Sequence, residues 1–315
     1  MSTHVVFGTG QVGALVAQQL VARGEEVTAV SRRGRTQVVG ATNLAGDATD
    51  PTFTRQACAG AEVVYFCLDA PDYHRWPEQF PPLQQGVLTG ARHVGARLVV
   101  LENLYGYGPV GGRPLVEDLP LAATSAKART RIAMTEQLLA AHGAGELGVA
   151  IGRASDYLGP GATHSAYGEL VFGTAVAGKT AQVMGDPDRL HSVSYTPDVA
   201  AGLIVLGEHP EAVGQVWHLP VAEAWTTRQV VQHVYEQAGT KPKLFAAGRT
   251  SLRLYGLLKP EMREYLHTLY QFTEDWVVDD SRFRQAFGTA ATPLDEALVT
   301  TVAWYRADAA VHQAS

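Results

Sequence analysis

Cysteine is scarce: Cys58 and Cys67 are the only two in 315 residues, too few and too awkwardly spaced for a disulfide framework or a zinc knuckle. Cys67 closes the apolar run Val63-Val64-Tyr65-Phe66-Cys67, which suits a buried thiol in a reducing compartment. Long basic runs are missing too. The formal charge is −6 and is spread along the chain, whereas a nucleic-acid binder clusters Lys and Arg on one face. The eleven His are scattered, and no Glu-His or Cys-His spacing suits zinc, so no metal site is expected. Nothing resembles a Gly-x-Ser-x-Gly nucleophile elbow. No apolar run approaches the ~18 residues that span a bilayer, and His4-Val5-Val6-Phe7 begins a strand where a signal peptide would stand. The expectation is a soluble, cytoplasmic protein with no membrane or nucleic-acid partner. There is no internal repeat, low-complexity segment or disordered linker.

What is present is regular. With 46% hydrophobic residues the chain can bury a large α/β core, alone or with a smaller cap. Short β-rich runs alternate with helical patterns, which points to βαβ units and a parallel sheet. Strands are predicted at His4–Phe7, Glu26–Val30, Thr42–Ala45, Val63–Cys67, Arg97–Leu101 and Gly148–Gly152. Between the first two, Val12, Leu15, Val16 and Leu20 share a helical face that ends at Gly24. Further helices are predicted over Leu83–Val94, after Pro81-Pro82, and over Ala126–His142. Beyond Gly152 the alternation fades. Helices are expected at Tyr167–Ala177, Asp198–Gly207, Thr227–Ala238, Glu261–Tyr270 and Pro293–Arg306, with strands at Val193–Tyr195 and Gln215–Leu219. The expected organisation is a Rossmann domain over 1–155 to which 193–222 return, and a mainly helical substrate lobe from 156–192 and 223–315. The cleft between such lobes is the default ligand site.

Gly8-Thr9-Gly10-Gln11-Val12-Gly13 places G-x-G-x-x-G between the first strand and the first helix, the context that makes this motif a dinucleotide fingerprint. The turn is tight, a side chain would block the pyrophosphate, and main-chain N–H groups at the helix N-terminus meet its charge. An NAD site usually sets Asp or Glu about 20 residues on. Here the second strand closes Val30-Ser31-Arg32-Arg33, and guanidinium suits a phosphate. NADP(H) is therefore the expected cofactor, with Ser31, Arg32 and Arg33 at its 2′-phosphate. Asp47 either accepts from the adenine amino group or caps the short helix that contains Phe53.

These features resemble the extended short-chain dehydrogenases/reductases, the group of nucleotide-sugar epimerases and dehydratases. The resemblance rests on the glycine motif, Gly46-Asp47, Gly106-Tyr107-Gly108-Pro109, Arg153 with Tyr157-Leu158-Gly159-Pro160, and Tyr195-Thr196-Pro197-Asp198-Val199-Ala200. It covers most of the chain, although the last ~80 residues add little that is diagnostic. It implies a Rossmann doubly wound sheet and a smaller C-terminal substrate lobe, and leaves monomer and homodimer both open. The family's Ser/Thr, Tyr and Lys trio is missing. Counting back from Glu136, the Tyr-x-x-x-Lys places hold Ala128 and Ile132, and the Ser/Thr place holds Asn103. The chain thus resembles an atypical branch without that motif.

Replacement groups follow from position. Asn103 and Tyr105 lie just past the fifth strand, at the carboxyl end where open α/β sheets bind ligands. Asn103 can orient a substrate oxygen, and Tyr105 can donate a proton unless it serves as an aromatic lid. Lys127 can touch the nicotinamide ribose or a substrate anion, although Arg129 and Arg131 beside it also fit a solvated basic face. Tyr73 and Trp76, with Phe80, either roof the pocket or form core. Tyr157, His164 and His191 are further substrate-binding candidates, His191 also as a pH-sensitive acid or a structural ring. The leading expectation is an NADPH-dependent reductase or dehydrogenase of a small carbonyl, imine or activated alkene. The alternatives are a nucleotide-sugar epimerase or dehydratase, and a non-catalytic NADP(H)-binding redox sensor or scaffold.

Overall fold

A computed structural model describes residues 2–34, 37–258 and 260–314. The chain divides into two compact units, one of residues 1–106, 121–153 and 199–219, the other of 107–120, 154–198 and 220–315. The first is a Rossmann α/β unit. Its strands β1 (Thr3–Phe7), β2 (Glu26–Ser31), β3 (Thr42–Ala45), β4 (Val63–Phe66), β5 (Arg97–Asn103) and β6 (Val149–Ala154) join a seventh, Gln215–His218. The spatial order is seventh–β6–β5–β4–β1–β2–β3. Adjacent pairs run parallel, with Phe7 beside Val30 on one side and Phe66 on the other. All four residues of β4 and all six of β6 are buried, as expected of strands covered on both faces. The chain winds outward from β1 to β3 and returns to β4, so the order reverses between β1 and β4. That reversal is where open α/β sheets bind ligands.

Helix α1 (Gly13–Ala22) buries Gly13, Val16, Ala17 and Leu20; of the predicted face, Val12, Val16 and Leu20 are buried and Leu15 is half-buried. Helix α2 (Pro51–Ala57) has Pro51 in its first turn and is capped by Asp50, whose carboxylate accepts from Thr52 N–H. Helix α3 (Trp76–Val94) starts before the predicted Leu83 and runs through Pro81 and Pro82. Those rings remove bonds to the carbonyls of Pro77 and Glu78, and all four residues are exposed, so water can take the freed acceptors. Helix α4 (Ala126–Gly143) opens on Ser125, whose hydroxyl accepts from Ala128 N–H. Phe7, Phe66, Phe80, Leu88, Leu98, Val100, Leu138 and Ile151 fill the space between sheet and helices, each burial contributing ~1.5–3 kcal/mol.

The second unit is mainly helical. Helix Thr227–Ala238 carries a full capping box, Thr226 with Gln229, and ends on Gly239 at φ +68°. Val230 and Val234 from this helix and Leu298 and Val302 from helix Leu294–Ala314 build a core with Tyr167 and Phe172. Three small strand pairs complete it: Asp156–Leu158 with Val193–Tyr195, Ala181–Met184 with Leu244–Ala247, and Leu190–His191 with Trp225–Thr226. The predicted helix Tyr167–Ala177 is instead a wider π-type winding over Gly168–Gly173 followed by one short α turn, Thr174–Val176. A Cβ at Gly168 would lie 2.4 Å from the Thr163 carbonyl, so the closeness of this turn to the preceding loop depends on glycine. The predicted helix Glu261–Tyr270 is a pair of 3₁₀ segments, Pro260–His267 and Leu269–Phe272, separated at Thr268. Among the described residues no helix is long and apolar enough to cross a membrane.

Candidate functional site

The three glycines of the first turn do three different things. Gly8 has φ +98°, and a Cβ there would lie 2.5 Å from the Cys67 carbonyl oxygen. At Gly13 a Cβ would fall 1.8 Å from the Gly8 carbonyl oxygen, so this glycine lets α1 close onto the strand end. At Gly10 a Cβ would meet nothing within 4 Å, and the residue is exposed. Its lack of a side chain therefore answers no need of the folded chain itself. Thr9 and Val12 are buried and Gln11 is half-buried. No side chain caps α1 at Val12, which leaves the turn open to an anion. The arrangement fits a dinucleotide pyrophosphate. Cys67 lies beneath it, its thiol pushed up to about 12 by burial, and so stays a protonated packing group.

At the end of β2, the Ser31 hydroxyl accepts from Gly34 N–H at 3.1 Å. Ser31 and Arg32 line a small cavity with Val30, Gly46, Leu68 and Asp69, at the carboxyl ends of β2, β3 and β4. Arg32 and Arg33 are exposed. Asp47 accepts from Thr49 N–H and Thr49 Oγ at 2.9 and 2.8 Å, while the helix cap considered for it belongs to Asp50. Asp69, which no motif or spacing in the sequence marks, shares this cavity lining. Its carboxyl is raised by burial, with Arg131 and the Ala70 N–H opposing.

Past β4 and β5 the structure gathers Tyr73, Trp76, Tyr105 and Lys127 into one cluster. The Tyr73 and Tyr105 hydroxyls are 3.3 Å apart. Trp76 stacks on Tyr105 at 5.7 Å and 15°, and meets Tyr73 and Phe80 edge-on at 5.3 and 5.0 Å. Lys127, only 3% exposed, sets its ammonium 3.2 Å from the Tyr73 ring centroid. Arg131, one helical turn on, lies 3.9 Å from the Phe80 ring centroid. The solvated-face reading of this basic segment thus holds for Arg129, which is exposed, and fails for Lys127 and Arg131. Two cations four apart point inward together because they share a helical face, a signal the spacing itself carried. Asn103 accepts from Tyr105 N–H at 3.1 Å, so its carbonyl holds the turn that presents Tyr105. Ala128 is buried and Ile132 half-buried.

Behind the cluster, Glu102, Thr135 and Arg153 form a buried polar group. Arg153 Nε donates to Glu102 at 3.2 Å, and Thr135 Oγ1 donates to the same carboxylate at 2.7 Å. Lys127, Arg131 and Thr135 recur every fourth residue, one polar stripe turned inward along α4.

The remaining candidates lie in the second unit. His191 is 2% exposed, its Nε2 2.8 Å from Asp156 and its Nδ1 3.0 Å from the Gln271 carbonyl oxygen, with Phe272 stacked on the ring at 4.7 Å. Both ring nitrogens are engaged by protein acceptors. Tyr157 is half-buried and His164 exposed. Among the described residues no group of three or more His, Cys, Asp or Glu is placed to hold a metal ion.

Glycine turn and strand order are those of a dinucleotide-binding Rossmann unit of the extended short-chain dehydrogenase/reductase kind. The model of the NAD dependent epimerase/dehydratase family matches residues 5–220, and the chain belongs to that family. It is 23% identical over 314 residues to the uncharacterized protein y4nL of Sinorhizobium fredii, covering 93% of this chain and 86% of the relative. Its fold is similar to that of the epimerase Mth375 of Methanothermobacter thermautotrophicus, with TM-score 0.82, 15% identity and coverage of 100% and 95%. It is similar also to dTDP-glucose 4,6-dehydratase of Bacillus anthracis in complex with NAD, with TM-score 0.79, 15% identity and coverage of 98% and 97%. Of the expected activities, the family match favours the epimerase or dehydratase alternative over the small-carbonyl reductase.

Proposed function

We propose that the protein is a nicotinamide-dinucleotide enzyme of the nucleotide-sugar epimerase and dehydratase type, acting in the cytoplasm, with NADP(H) as its dinucleotide. The observation that carries this reading is the pairing, on adjacent strands, of an open pyrophosphate turn at Gly10 with a polar aromatic cluster past β4 and β5. A bound dinucleotide supplies a hydride acceptor and donor. Gly8, Gly10 and Gly13, with the N-terminus of α1, would hold its pyrophosphate, and Arg32 and Arg33 its 2′-phosphate. Support for the phosphate-bearing form comes from β2, which ends in Ser31 rather than a carboxylate. The Tyr105 hydroxyl exchanges a proton with the substrate oxygen, Asn103 donates to that oxygen through its amide nitrogen, and the Lys127 charge favours the anion that develops.

A reductase of small carbonyl compounds is the second reading. It is favoured by Ala128 and Ile132, which stand where the family resemblance places a sugar-oxidising Tyr and Lys. The two are separated by incubating purified protein with UDP- and dTDP-hexoses without added cofactor and resolving the products chromatographically. Conversion supports the first reading. Inertness there, combined with NADPH consumption on a carbonyl and alkene panel, overturns it in favour of the second.

A further inference from the structure

Ala128 and Ile132 stand where the resemblance places the family's Tyr and Lys, and two tyrosine hydroxyls meet nearby. We infer that Tyr73 and Tyr105 form a two-tyrosine proton relay, with Lys127 as the positioning residue that holds negative charge on Tyr73. This rests on the enzyme reading above and adds to it a residue and a route.

Tyr73 is delivered by the turn after β4 and Tyr105 by the turn after β5, two neighbouring strands. Their hydroxyls are 3.3 Å apart, slightly beyond the ~2.6–3.2 Å over which protons move, as such pairs often are before substrate tightens them. Neither ring is free to drift. Trp76 stacks flat on Tyr105 and stands edge-on to Tyr73. The Lys127 ammonium presses on the Tyr73 ring face. Its charge is therefore felt through the ring, and its attraction grows when that ring carries a phenolate. Burial deepens the effect, because Lys127 is shielded from water. Charged and titratable groups near Tyr73 include Lys127 from α4, Tyr105 from the turn after β5, and Asp72, His74 and Arg75 beside it in its own segment. Asp72 is already tied to Gln79 at 2.7 Å.

Tyr73 begins as phenolate and Tyr105 as phenol. The substrate O–H bond breaks, its proton joins the Tyr105 oxygen, and the Tyr105 proton passes to Tyr73, leaving both tyrosines neutral. The C–H bond breaks with its electron pair, so the carbon is oxidised to a carbonyl; an oxidised nicotinamide dinucleotide, held at the glycine turn, would be the two-electron oxidant that takes that pair. The reverse sequence returns a proton to the substrate oxygen.

The decisive measurement needs no substrate: an ultraviolet phenolate titration of the cofactor-free protein, its Tyr73→Phe and Lys127→Met variants, and Lys127→Arg as the conservative control. Wild type should show an early phenolate phase that Tyr73→Phe removes, Lys127→Met moves to higher pH and Lys127→Arg largely restores. Superimposable titrations of all four proteins overturn the relay. In the loaded enzyme, Tyr73→Phe should lower kcat at least tenfold with KM little changed, and should alter the pH profile of kcat. A wild type inactive on every sugar nucleotide would defeat the functional reading alone, since the titration judges the relay without it.

Discussion

The three glycines of the first turn predict that fold and binding can be broken separately. At Gly10 an added methyl meets no atom within 4 Å, so Gly10→Ala should leave the free protein as stable as wild type. It should even gain ~0.4–1 kcal/mol, because alanine restricts the unfolded chain and φ here is not positive. The same methyl occupies the space through which a pyrophosphate approaches. Affinity for NADPH should fall at least tenfold, about 1.4 kcal/mol. Gly13→Ala should do the reverse in part. Its methyl would sit 1.8 Å from the Gly8 carbonyl oxygen and 2.9 Å from Cys67 Cβ, and neither the strand end nor the helix start can yield cheaply. Forced overpacking of this kind costs ~1–3 kcal/mol or more, so Gly13→Ala should lose stability before any ligand is added. Urea denaturation without ligand, followed by fluorescence titration with NADPH, reads both quantities. Equal destabilisation of the two variants, or unchanged NADPH affinity in Gly10→Ala, would refute the reasoning.

Three further outcomes are expected. Replacing Arg32 and Arg33 together by Ala should weaken NADPH binding roughly ten- to hundred-fold, the worth of one charged hydrogen bond of ~1.5–3 kcal/mol, and leave NADH binding unchanged in the same titration. Glu102→Gln should destabilise the protein in urea denaturation, because it removes the carboxylate charge that Arg153, 4% exposed, and Thr135 share in this buried polar group. His4 is held below its ordinary value of 6.5 by burial, with Glu25, Glu208 and Glu62 opposing and Arg23 assisting. The folded state then binds fewer protons than the unfolded one, so this contribution is full above about pH 6.5 and is lost as pH falls below it. The slope is at most ~1.4 kcal/mol per pH unit. His4→Phe should flatten that part of the stability profile, and an unchanged slope would remove His4 as its source.

Much of the Rossmann unit could be read from the chain because its signals are local. Strands fully buried between helices are written as apolar runs, and β4 and β6 sit within a few residues of their predicted bounds. The glycine turn was legible because its spacing encodes three separate steric demands. The extent of α3 was not, since prolines stop a helix by rule and only the solvent exposure of Pro77, Glu78, Pro81 and Pro82 lifts that rule here. The second unit was read less well. Its pair Ala181–Met184 and Leu244–Ala247 joins segments distant in sequence, and no local pattern states which distant strand an edge will choose.

The candidate site divides in the same way. By itself the sequence determined the family and the cofactor turn, and put Ala128 and Ile132 where the resemblance places the Tyr and Lys of Tyr-x-x-x-Lys, because each is a matter of residue type at fixed spacing along one segment. Only the tertiary structure decided what stands in its place. Tyr73, Trp76, Tyr105 and Lys127 come from three segments, and their mutual distances arise where β4, β5 and α4 meet. Whether a lysine beside two arginines faces water or an aromatic ring depends on the surface its helix packs against. That surface does not exist until the chain has folded.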